Sequence, residues 1–132
     1  MTKVGQTLQE AAKAGEFALK ELDKAFPSLI FRACPVYSNC TQSYYCIVTS
    51  RHRNLVLRLE QLRRDDPGES SLWCASVHIF SEYGEDGPTS QFVSRDPALA
   101  VKEAIVGYRS KARDYIARVT LAADVADSII RD

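Results

Sequence analysis

The chain has 132 residues, 45% of them hydrophobic and 26% charged, with 17 Lys and Arg balanced by 17 Asp and Glu. This is the composition of one globular domain: too apolar for a disordered chain, and without an apolar run long enough to span a bilayer. A formal charge of zero removes the long-range attraction on which non-specific binding to nucleic acid or to an anionic membrane depends.

The residues after Met1 turn polar and charged at once (Gln6, Gln9, Glu10, Lys13), so no export signal is expected. Cys34, Cys40, Cys46 and Cys74 then read as reduced thiols in a cytoplasm.

The first strong pattern runs from Thr7 to Phe26, where Leu8, Ala11, Gly15, Ala18, Leu22 and Phe26 recur at three- and four-residue steps and predict an amphipathic helix. Thr7 with Glu10 reads as a capping box, and Pro27 ends the helix by pushing its predecessor out of the α region. The period then changes to two. Strands are predicted at 29–34, 44–50, 54–62, 72–81 and 91–94, with turns at 38–39, 51–53, 65–68 and 84–88. Short breaks favour an antiparallel meander over crossover connections.

Asp96-Pro97 predicts the start of a second helix, with Asp96 as N-cap and proline at the first helical position. Its apolar stripe continues to Ile129 and Ile130. An unbroken helix of that length would extend about 50 Å at ~1.5 Å per residue, against about 26 Å for an eight-residue strand. It therefore either breaks near Thr120 or overhangs its sheet. The expected fold class is α+β: an antiparallel four- to five-stranded meander with an N-terminal helix and a long C-terminal helix packed on one face.

Alternation assigns Phe31, Ala33, Tyr45, Ile47, Thr49, Leu57, Leu59, Trp73, Ala75 and Val77 to the face that receives the helices. The opposite face is expected to carry Arg32, Cys34, Tyr44, Cys46, Val48, Val56, Arg58, Glu60, Cys74, Ser76, His78 and Phe80. Tyr44 and Tyr45 could exchange roles, since both phases of that segment are apolar. An outer face that mixes aromatics, aliphatics and arginine has the composition of a protein interface.

The chemistry-bearing motifs are few. There is no HExxH, P-loop, GxGxxG, nucleophile elbow or paired CxxC, and only His52 and His78 are available as imidazoles. The spacing of the cysteines lacks the close ligand pairs of a zinc knuckle, so no metal or other cofactor is expected. Cys74 or Cys46 with His78 could form a nucleophilic pair, but the sequence offers no orienting third group and no oxyanion hole. No enzyme activity is expected on these grounds.

The reading is instead of a protein-interaction module that binds stoichiometrically, as an inhibitor, adaptor or chaperone-like factor. Tyr44, Arg51, Arg53, Arg58, His78 and Phe80 would make the contact. The widening apolar surface of Val119, Leu121, Val125, Ile129 and Ile130 would pair two copies into a homodimer. The runner-up is a nucleic-acid or nucleotide-phosphate binder led by the arginines of the segment from Arg51 to Arg64. Asp65 and Asp66 cancel part of that basic charge, and the second helix starts without the lysine cluster of a double-stranded-RNA module.

Overall fold

A computed structural model describes residues 3–38, 43–62, 72–79 and 87–131, with side chains described outside 3–11 and 34–46. Helix α1 (Lys3–Ala25) is followed by strands β1 (Arg32–Ser38), β2 (Ser43–His52), β3 (Leu55–Leu62), β4 (Leu72–Ile79) and β5 (Ser90–Ser94), and then by helix α2 (Pro97–Arg131). The strands form one antiparallel sheet in the order of the chain. This is the expected α+β meander with five strands.

Local chemistry sets the boundaries. The turn after α1 is closed by Phe26 N–H donating to the Leu22 carbonyl and by Leu29 N–H donating to that of Phe26, so β1 starts three residues later than alternation suggests. Helix α1 already runs from Lys3, so Thr7 lies inside it and cannot be its N-cap; the capping-box reading is corrected. At α2 the expectation holds: Asp96 Oδ1 accepts hydrogen bonds from the Ala98 and Leu99 amides at 3.0 and 3.3 Å, ahead of Pro97 in the first turn. Pro35 lies on β1, an edge strand, where a missing amide donor is tolerated.

Both helices cover one face. Ala18 and Leu22 of α1 and Ala100, Val101 and Ala104 of α2 enclose a core with Val48, Leu57, Leu59, Trp73, Ala75 and Val77. α1 lies over β1 and β2, and α2 over β4 and β5.

One strand is assigned to the faces differently from the sequence expectation. Val48 is fully buried and Ser50 nearly so, while Thr49 is exposed, so the even positions of β2 face the helices. The reason is the turn. His52 pairs with Leu55 around a two-residue connection, Arg53-Asn54, rather than the three-residue break at 51–53. A shift of one residue in register moves every side chain to the other face.

Helix α2 is unbroken through Thr120. It returns over the sheet against the direction of β5, and Lys111 Nζ donates to the Thr89 carbonyl at 3.1 Å just before β5 begins. Beyond Ala112 every residue to Arg131 is exposed, a free length of about 28 Å at ~1.5 Å per residue. The overhang alternative is the one realised. No helix among the described residues is long and apolar enough to cross a membrane.

Candidate functional site

With both helices on one side, no described element covers the other side of the sheet. Strand pairing orders it into cross-strand rows. One row is polar: Arg32, Thr49, Arg58, Ser76 and Gln91 stand opposite one another across all five strands. The next row holds Ile47, Glu60, Cys74 and Val93, and toward the Arg53-Asn54 turn a third holds Arg51, Val56 and His78. Neighbours in a row stand about 4.5–5.5 Å apart, so the face presents arginine beside aliphatic and thiol groups over a continuous area.

The Arg58–Glu60 pair on this face is loosely held. Arg58 and Glu60 form an ion pair at 3.6 Å with both side chains substantially in solvent, an arrangement that contributes little to folding. Arg32, Arg51 and Arg58 outnumber Glu60 among the charged groups of the three rows. Burial, and secondarily the carboxylate of Glu60 opposite it, raise the Cys74 thiol above its ordinary pKa. Cys74 and His78 share a face but lie four residues apart on one strand, about 13 Å at ~3.3 Å per residue, too far for the imidazole to activate the thiol directly.

Of the six residues expected to make the partner contact, the structure brings Arg51, Arg58 and His78 together on the bare face. Arg53 occupies the first position of the β2–β3 turn, in left-handed backbone at φ 57°, and Arg51 Nε donates to its carbonyl at 3.4 Å. Tyr44 stands at an even position of β2, the phase of Val48 and Ser50, and its side chain lies outside the described residues, as does Phe80. Alternation already placed Arg32 on this face, but sequence reasoning missed Ile47, Thr49, Gln91 and Val93 as members of the proposed contact. Pairing register is the signal that would have found them.

The second exposed surface is the free part of α2. Val119, Leu121, Val125, Ile129 and Ile130, the five residues expected to pair two copies, all lie on it, with Leu121 at 64%, Ile129 at 68% and Ile130 at 81% exposure. The stripe that buries Val101 and Ala104 continues along the same side as Tyr115, Val119, Ala122, Ala126 and Ile129, at alternating three- and four-residue steps. Leu121 projects about 120° away from the middle of that seam at ~100° per residue. At the root of the overhang, Gly87, Pro88, Lys111, Asp114, Tyr115 and Arg118 line an open cleft of about 550 Å³.

Comparison of the chain with protein-family models, curated proteins and solved structures returned no match.

Proposed function

We propose that this chain is a stoichiometric protein-binding module that docks a partner on the bare face of its sheet, and that it works as a homodimer joined through the free part of α2. One observation carries the reading: both helices pack on one face, and among the described residues no element covers the other, which sets aliphatic and thiol side chains between arginines across five strands. Arginine with apolar neighbours and little lysine is the composition enriched where proteins bind proteins. The charge excess of Arg32, Arg51 and Arg58 over Glu60 favours a partner segment bearing carboxylates. Such a module acts by occupying its target, as an inhibitor, adaptor or chaperone-like factor does.

The same three arginines support the second reading, a nucleic-acid or nucleotide-phosphate ligand, because a guanidinium fork matches phosphate as well as carboxylate. Capture from native extract separates the two. A protein retained by the wild-type chain after nuclease treatment, and lost from a Val93→Asp, Arg58→Ala variant that still folds, supports protein docking. Retention of nucleic acid that weakens steeply as salt rises selects the second reading.

A further inference from the structure

We infer that the free half of α2 pairs antiparallel with the same segment of a second copy, about a two-fold axis beside Thr120 and Leu121, each helix tip seating in the cleft at the root of its partner's overhang. The inference rests on the dimeric reading above and specifies its seam.

The free segment needs a cover to be a helix at all. Residues 113–131 include Ile116, Val119, Thr120, Val125, Ile129 and Ile130, whose β-branched side chains disfavour an unsupported helix.

Direction follows from which side of the helix is apolar. The free stripe lies on the side that, one or two turns earlier, rests on this chain's own sheet. A parallel partner helix laid on that stripe would run back into this sheet, body against body. An antiparallel partner arrives from the open end, and only its tip approaches the sheet.

Charge points the same way. From 109 to 118, α2 carries Arg109, Lys111, Arg113 and Arg118 against Asp114; from 119 to 131 it carries Asp124 and Asp127 against Arg131. Two acids near a helix C-terminus oppose the macrodipole of an isolated helix. Over the whole segment, antiparallel pairing lays the acidic half of each helix along the basic half of its partner, with Lys111 and Arg118 nearest the seam and Asp124 on the far side, whereas parallel pairing lays like on like. Overlap of the whole free stripe puts Val119 opposite the partner's Ala122, Tyr115 opposite Ala126 and Ala112 opposite Ile129, so that large side chains meet small ones. The cleft, with Lys111, Asp114 and Arg118 on its wall, then receives the apolar tip with Ile129 and Ile130.

Sedimentation of the full-length chain at tens of micromolar is expected to give a dimer, and photo-crosslinking from p-benzoylphenylalanine replacing Ile129 is expected to label 109–116 of a second, isotope-distinguished copy. Val119→Asp, on the seam, should weaken association at least about tenfold, whereas Leu121→Asp, on the far side of the helix, should leave it unchanged. A monomer, or crosslinks to 126–131, would overturn the inference. Val93→Asp with Arg58→Ala should leave the dimer intact whether or not the sheet face binds a partner. Loss of the dimer there would place self-association on the sheet and refute the seam.

Discussion

Gly107 passes so close to Ser90 that a Cβ built on it would stand 2.6 Å from the Ser90 hydroxyl oxygen. This contact, with the Lys111–Thr89 hydrogen bond one turn later, fixes where α2 leaves the sheet and therefore where its free half begins. Gly107→Ala removes a helix-weakening glycine but forces the hydroxyl aside, so its net effect on stability should stay within about 1 kcal/mol. Gly107→Leu cannot be absorbed by one hydroxyl, and its denaturation midpoint should fall by the equivalent of ~2 kcal/mol as α2 is levered off β5.

Ser50 occupies a core position on the helix-covered face, and its hydroxyl finds no hydrogen-bond partner among the described residues. An unsatisfied buried hydroxyl costs folding free energy that a methyl group would not. Ser50→Ala should therefore be neutral or stabilise by up to about 1 kcal/mol, read from urea unfolding at constant slope. A loss of stability would mean that the hydroxyl is satisfied.

Arg53 is the one non-glycine residue with positive φ among those described. The first central position of a two-residue hairpin turn with this backbone favours glycine, and a side chain there costs on the order of 1 kcal/mol. Arg53→Gly should raise stability by about that amount. An arginine kept in a strained turn at the end of the sheet is consistent with a binding role, so the same substitution should weaken partner capture while it stabilises the fold.

Cys74 is held neutral by burial, with the Glu60 carboxylate adding to the effect. Its pKa is raised on folding, so the stabilisation of the neutral thiol is present below the unfolded-state pKa and is lost as pH climbs through the folded value. Alkylation by iodoacetamide at pH 8 should be slower for Cys74 in the folded chain than in urea, with mass spectrometry assigning the modified site. Equal rates would remove the support for an inert thiol on the sheet.

The sequence makes the element order and most faces legible because Leu57, Leu59, Trp73, Ala75 and Val77 alternate cleanly and Asp96-Pro97 carries a complete N-terminal signal. β2 is ambiguous for a physical reason: Tyr44, Cys46 and Val48 are as apolar as Tyr45 and Ile47, so only the length of the β2–β3 turn decides the face, and Arg53-Asn54 lacks the glycine that marks such turns. The length of α2 is legible, as is the choice between a break and an overhang. The resolution of that choice depends on where the sheet ends, which pairing sets and composition does not.

If another molecule covers the apolar surface this fold leaves over, amide hydrogen exchange along 113–131 will report it. At concentrations where two copies meet, those amides should exchange slowly; on dilution, or in a Val119→Asp chain, protection should fall by orders of magnitude while the sheet amides hold theirs. Fast exchange of this segment at every concentration, unchanged by Val119→Asp, would mean that the free half of α2 has no cover.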